Sequence, residues 1–354
     1  MKIGMITFHR ANNLGANLQA FALNKYINNN IGECEIIDFI PNDQVDKRPL
    51  PIKLLSFAKR VTFATLNKRE KRFNKFKKAN YKLSSKTFKG DNEMLSATLK
   101  YDVLISGSDQ ILNTTLSGNS NSFYLAFDKK AKKISYASSF GRNEITQEEK
   151  QNIAAFLPEF SDLSAREQSG VDIIKQYANK DATLVLDPVF LMSGNEWQKI
   201  KTTTQTPQKY IFVYAMEPTE QLKKAIKHAK NRLGLEVLVV YGGGSRGIEG
   251  TEIFDCGPGE FLSYIDGAEL VITNSFHGTA FSVLFEKDFV CVAHSSRNAR
   301  LENILSLTQN EGKLVLANED YDFDQKLISG KSSLEQLTPY IEISKEYLNK
   351  NCKI

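Results

Sequence analysis

No stretch of this 354-residue chain reaches the roughly 18 apolar residues that span a bilayer, so no transmembrane helix is expected. Cysteine is scarce: Cys34, Cys256, Cys291 and Cys352 stand far apart, with no CxxC pair. That excludes a disulfide frame and a zinc site and suits separate thiols of a reducing compartment. Histidine is scarce too, and no HxxxH or HxH spacing exists, so no metal is expected. A Walker A loop, a GxGxxG fingerprint, an internal repeat and a nucleic-acid motif are all missing; no nucleic-acid partner is expected. The opening MKIGMITFHR has only a short apolar run and no small-residue cleavage site, so it reads as a first strand and not as a signal peptide. The expected location is cytoplasmic, with peripheral contact at the inner face of the membrane left open.

Hydrophobic residues at 41% and charged residues at 25% are those of a globular protein. The net charge is only +5, but it is unevenly placed. Residues 47–89 hold fifteen Lys or Arg and one acid, Glu70, and so carry +14, which leaves −9 for the rest. This segment has helical period, and Phe57, Val61, Phe63, Leu66, Phe73 and Phe76 give it an apolar side. Such a helix can rest on an anionic membrane. The default reading is a solvated face with its apolar stripe in the core.

Short apolar runs alternate with amphipathic segments along the whole chain. KIGMITF, CEIIDFI, DVLISG, KISYASS and TLVLDPVF read as strands, with helical segments between them. A polar stretch, SGNEWQKIKTTTQTPQK, then marks a boundary. A second alternating set follows, from YIFVYAM through EVLVVYGG and ELVITN to FVCVA. Near-continuous apolar strands alternating with helices indicate parallel sheets covered on both faces. The expected architecture is α/β, with two Rossmann-like doubly wound domains facing a cleft. Residues 1–192 form the first domain with a basic helical insertion at 47–89, residues 193–330 form the second, donor-binding domain, and residues 331–354 form a closing helix.

In such sheets ligands bind at the carboxyl ends of the strands, and four of these ends carry unusual residues. In TFHRANNLGANLQA, Asn13 and Gly15 lead into a helix whose N–H groups can hold an anion or hydroxyls; taken alone, the favoured reading is a cap and an easy turn. In LISGSDQILN, Gly107 admits a close ligand, and Ser108, Asp109, Gln110 and Asn113 are polar. Asp109 is either a base for a hydroxyl or the cap of the next turn. In DLSAREQSG, Arg166 ends a strand and enters a helix, where it can grip a carboxylate or phosphate or join an ordinary ion pair. In TNSFHGTAFSVLFEK, Thr273 and Asn274 can cap, Ser275 supplies a hydroxyl, His277 falls in the first helical turn, and Gly278 allows close approach. This is a phosphate site or a structural histidine. YGGGSRG reads as a flexible cleft loop.

TFHRANNLGANLQAFAL, GSDQILN, SYASSFG, REQSG, VLDPVFL and VITNSFHGTAFSVLF occur in that order, and over residues 1 to 310 the chain resembles the polysaccharide pyruvyl transferase family. The resemblance implies a GT-B type fold and transfer of the enolpyruvyl unit of phosphoenolpyruvate, a donor substrate, to a sugar as a ketal. No cofactor is implied. It implies that Arg166 and His277 hold the donor's carboxylate and phosphate. Some relatives carry an Arg where Ser275 stands, so Arg297, Arg300 and Arg246 become candidates for the rest of the grip. Leu112 replaces the usual tryptophan of the GSDQILN motif. His277 is then the acid or a phosphate ligand, and Asp109 the candidate base. The acceptor is a sugar, a nucleotide-sugar or a lipid-linked glycan. Two other readings compete: a GT-B glycosyltransferase using a nucleotide sugar, and a non-catalytic glycan- or polyanion-binding protein.

Overall fold

The computed structural model describes residues 1–45, 64–244, 246–295, 298–316, 321–328 and 334–353. Thirteen strands among them form two sheets. The first sheet contains β1 (Lys2–Ile6), β2 (Glu33–Ile40), β3 (Leu83–Lys89), β4 (Val103–Asp109), β5 (Lys132–Ser138), β6 (Ser164–Ala165) and β7 (Thr183–Leu184), ordered β3-β2-β1-β4-β5-β6-β7. The second contains β8 (Tyr210–Ala215), β9 (Glu236–Tyr241), β10 (Thr251–Glu252), β11 (Leu270–Thr273), β12 (Phe289–Val292) and β13 (Leu314–Val315), ordered β10-β9-β8-β11-β12-β13. All pairings are parallel. β4, β8 and β11 are buried along their whole length, because helices cover both faces of each sheet. Strand order reverses between β1 and β4 and again between β8 and β11, so each sheet has a crevice at the carboxyl ends of those strands.

Six helices position the site: α1 (Leu14–Asn30), α2 (Ala64–Asn80), α3 (Pro258–Asp266), α4 (Phe276–Leu284), α5 (Ala299–Leu307) and α6 (Thr338–Asn351). The largest apolar cluster joins the two sheets. Leu14, Leu18 and Phe21 of α1 and Phe73 and Phe76 of α2 pack with Phe261, Phe276 and Phe281 from the second half. Trp197 lies at its centre, 5.8 Å from Phe21 and 5.0 Å from Phe281, and its indole N–H donates to the Val189 carbonyl at 2.9 Å. Trp197 belongs to the polar boundary stretch. A Ser193–Glu196 capping box starts a short helix there, Gly194–Gln198, and turns the indole inward. α6 returns to the first sheet, where Leu348 and Cys352 join Ile3 and Ile134 and the Tyr347 hydroxyl donates to the Ser135 carbonyl.

Several local expectations need correction. β3, LSSKTFK, was not anticipated, because an exposed edge strand lacks the apolar run that marks buried ones. TLVLDPVF is a strand only at Thr183–Leu184, and Pro188 opens a 3₁₀ turn instead. Of the basic segment, residues 47–63, including Phe57, Val61 and Phe63, lie outside the described residues, as does the Leu66 side chain. Phe73 and Phe76 are buried inside the protein, so they offer no apolar face to a membrane. Arg72 of α2 pairs with Asp255 at 3.1 Å and Glu260 at 3.3 Å, both beyond β9, and so clamps α2 to the second half.

Candidate active site in the cleft

A cavity of about 260 Å³ lies where the two crevices meet. Phe8, Asn13, Asp109 and Gln110 line it from the first half, and Asn274, Ser275, His277 and Arg300 from the second. His277 stands on the first turn of α4. The N-cap of that helix is Ser275, whose hydroxyl makes no capping bond, so the side chain at that position leaves the N-terminal N–H groups uncapped. Asn274 ties the end of β11 to the loop after β8, accepting from Met216 N at 2.7 Å and donating to the Glu217 carbonyl at 2.7 Å.

The His277 imidazole comes from the second half but is enclosed by the first. A Cβ on Gly15 would come within 2.0 Å of His277 Nδ1, so only glycine fits beside the ring. His277 Nε2 is buried without a hydrogen-bond partner and lies 3.7 Å from Asp187 Oδ2. Burial pushes the His277 pKa down. Asp187 and Asp109 oppose that, Arg166 and Arg300 reinforce it, and the net shift is downward.

Arg166 is the opposite case. Its Nη1 donates to Asp187 Oδ2 at 2.5 Å and its Nη2 to Asp109 Oδ1 at 3.0 Å. Burial disfavours its charge, but Asp109, Asp187 and Glu167 outweigh burial and hold the guanidinium above its ordinary value. It sits behind the cavity wall, with no face on the cavity. The expectation of an arginine free to grip a donor is therefore corrected: both of its Nη groups are held by carboxylates of its own domain, while its Nε has no hydrogen-bond partner.

Arg300, from α5, is the guanidinium that does line the cavity. Its Nε has no hydrogen-bond partner. Arg166 and Arg300 both lie near the Phe276 ring, at 5.1 and 5.9 Å. Burial, and then the neighbouring Arg166, push the Arg300 pKa down to about 10. Arg246 is stacked on Tyr241 and Phe254, away from the cavity, and Arg297 lies outside the described residues.

Asp109 presents its carboxylate to the cavity. Burial pushes its pKa up, but Arg166, His277 and Arg300 pull harder and leave it below the ordinary carboxylate range. Gln110 lines the cavity beside it. Ser108 does not, because it is fully buried and donates to the Ala137 carbonyl. Asn113 caps the turn at Thr114 and donates to the Phe140 carbonyl. Gly107 faces the Tyr136 carbonyl of β5, and Gly278 faces Thr273 Oγ1, so both glycines serve strand and helix packing and not ligand approach. Asn13 does cap α1, accepting from Ala16 N at 3.0 Å, and it also lines the cavity. Asp187 was missed from the sequence. Its Asp-Pro context signals a turn, and it does cap that turn through Val189 N, but its second oxygen reaches Arg166 and His277. Among the described residues no His, Cys, Asp or Glu cluster suits a metal ion.

A family model described as polysaccharide pyruvyl transferase matches residues 13–296. No curated protein matches the sequence. Among solved structures, MnaA of S. aureus with UDP aligns with a TM-score of 0.55 at 10% identity, covering 99% of this chain and 96% of that one. UDP-GlcNAc 2-epimerase of Neisseria meningitidis bound to UDP-GlcNAc aligns at 0.52 and 11% identity, covering 99% and 94%. At such identity the likeness concerns the fold, which is of GT-B type with two parallel-sheet α/β domains. The family model spans most of the chain, including the strand ends that build the cleft, and the chain belongs to the polysaccharide pyruvyl transferase family.

Proposed function

We propose that the protein transfers pyruvate from phosphoenolpyruvate to a pair of sugar hydroxyls, forming a ketal and releasing phosphate during polysaccharide biosynthesis. The observation that carries this reading is Arg300, a guanidinium without an ion pair among the described residues, facing one cavity together with His277 and the N-terminus of α4. Phosphoenolpyruvate carries about three negative charges near neutral pH, and this wall supplies donors for them. Arg300 takes the place in the donor grip that the resemblance assigned to Arg166.

In the first step His277 protonates the methylene carbon, which becomes a methyl group, and C2 becomes electrophilic. A sugar hydroxyl adds to C2 and its proton passes to Asp109. An aspartate held below its ordinary pKa is a weak base, but a hydroxyl bonding to such a carbon turns strongly acidic, so a weak base suffices. A second hydroxyl then displaces phosphate from C2, which leaves with the pair of electrons of the C–O bond and takes up the remaining proton. The acceptor is a sugar, a nucleotide-sugar or a lipid-linked glycan. Exposed Lys68, Lys71, Lys75 and Lys78 recur on one side of α2 and support contact with an anionic membrane. Replacing these four with Gln weakens low-salt binding to phosphatidylserine vesicles while phosphate release on a soluble acceptor persists; binding that is absent or unchanged removes the membrane contact.

The test is release of inorganic phosphate from phosphoenolpyruvate with a sugar acceptor present. Release of a nucleotide from a nucleotide sugar instead would establish the glycosyltransferase reading. Binding of glycan without turnover, unaffected by replacing His277, would establish a non-catalytic one.

A further inference from the structure

Asp187 has one carboxylate oxygen committed to two side chains. Oδ2 accepts from Arg166 Nη1 at 2.5 Å and faces His277 Nε2 at 3.7 Å, while Oδ1 holds Val189 N at 3.1 Å. Its position is fixed from both sides of the chain. The neighbouring Leu186 N donates to Ser344 Oγ of α6 at 2.8 Å, and the Leu186 carbonyl accepts from the Tyr136 hydroxyl at 3.2 Å. The aspartate therefore cannot follow the histidine; the histidine must come to it.

We propose that Asp187 is a positioning residue for His277, deepening the pyruvyl-transfer reading: it lets the imidazole take a proton only when an anion occupies the cavity. The 3.7 Å separation is too long for a hydrogen bond, so Asp187 does not anchor a charged imidazole in this arrangement. The groups facing His277 are Asp187 from the turn after β7, Asp109 from β4, Arg166 from β6 and Arg300 from α5. Arg166 is itself neutralised by Asp109 and Asp187, with Glu167 Oε2 3.7 Å from its Nε. Arg300 forms no such pair among the described residues, and the more distant Asp109, Glu167 and Asp187 offset its charge less than burial and Arg166 weaken it, so its repulsion of an imidazolium stands until a ligand anion offsets it. An anion on Arg300 offsets that repulsion and adds its own attraction against burial, the main cause of the depressed pKa; the imidazole becomes charged, and Nε2–H closes on Asp187. With Nε2 buried, the ring edge bearing Nδ1 is the one left to meet a substrate. Aspartate holding an imidazole by one nitrogen while the other works is the logic of a catalytic triad, reached here with an arginine sharing the carboxylate.

The experiment uses sulfate, a dianion that does not titrate near neutral pH, and the full chain with isotope-labelled histidine. The four histidines, His9, His228, His277 and His294, give few enough signals to follow singly, and His277→Gln identifies the one of interest. Saturating sulfate is expected to raise the His277 pKa by one unit or more in the wild type and by much less in Asp187→Asn, whose amide keeps the size and the bond to Val189 N. In turnover, Asp187→Asn is expected to lower kcat on the order of 10²–10⁴-fold with KM for phosphoenolpyruvate changed less than threefold, and to move the pH optimum to more acid values. An equal sulfate-induced shift in both proteins, or no shift in the wild type, overturns the proposal; the sulfate measurement needs no turnover, so it is separate from failure of the pyruvyl-transfer reading. Should the variant not fold, the wild-type titration still decides.

Discussion

The two walls of the cleft treat their arginines in opposite ways. On the first-domain side, Arg166 is locked between Asp109 and Asp187 and carries its charge more firmly than a free arginine. On the second-domain side, Arg300 forms no ion pair among the described residues, its Nε has no hydrogen-bond partner, and burial beside Arg166 weakens its charge. One wall pairs its guanidinium with carboxylates, and the other leaves its guanidinium without an ion pair among the described residues. A buried charge without a partner destabilises the fold, so its retention in a cavity points to a ligand. The residue type alone did not distinguish the two, and the partners did.

The largest effect that can break this comparison is expected at His277, the group on the same wall as Arg300. His277→Ala should lower the rate of phosphate release on the order of 10²–10⁴-fold while the melting temperature stays near that of the wild type. Near-normal turnover, or a collapsed melting temperature, would make His277 a packing residue. The arginines then separate by which property fails. Arg166→Ala leaves Asp109 and Asp187 buried without their counter-ion and should destabilise the protein by about 3–5 kcal/mol. Arg300→Ala should leave stability equal or higher and raise KM for phosphoenolpyruvate on the order of 10- to 100-fold, the loss of one charged hydrogen bond. Chemical denaturation and initial-rate kinetics on both variants check this, and equal stability losses would erase the distinction.

The smallest effect sharpens it with a control. Lys313 is also buried, its Nζ has no hydrogen-bond partner, and it lies 5.3 Å from the Phe289 ring, far from any role in the cavity. Burial pushes its pKa down, so the unfolded chain binds the proton more tightly than the folded one. Stability should therefore rise with pH between that lowered value and the ordinary lysine range. Lys313→Met should stabilise the protein by about 1–3 kcal/mol near neutral pH, flatten that rise, and leave phosphoenolpyruvate kinetics unchanged. Urea melts at several pH values measure it.

The alternation of buried strands and helices was legible because both faces of each sheet are covered and the strands are apolar throughout. β3 was not, because its edge position leaves LSSKTFK polar. His277 was legible from its place on the first turn after an apolar strand. Its neighbour Gly15 was read as an easy turn, because a packing partner 262 positions later leaves no local mark. The same holds for Arg166: its partners Asp109 and Asp187 are 57 and 21 residues away, and only the folded chain tells a ligand-binding arginine from a paired one. Ser108, Gly107 and Gly278 looked like ligand contacts because strand ends hold both ligands and the residues that close the sheet beneath them. Their side chains, or the absence of one, face inward.

The most direct measurement is a crystal structure of the protein with phosphoenolpyruvate. The account predicts phosphoenolpyruvate in the cavity, with an anionic group on the Arg300 guanidinium, another at the N-terminus of α4 beside His277, and Arg166 still paired with Asp109 and Asp187. A donor bound directly by Arg166, with those two pairs broken and Arg300 turned away, would contradict it.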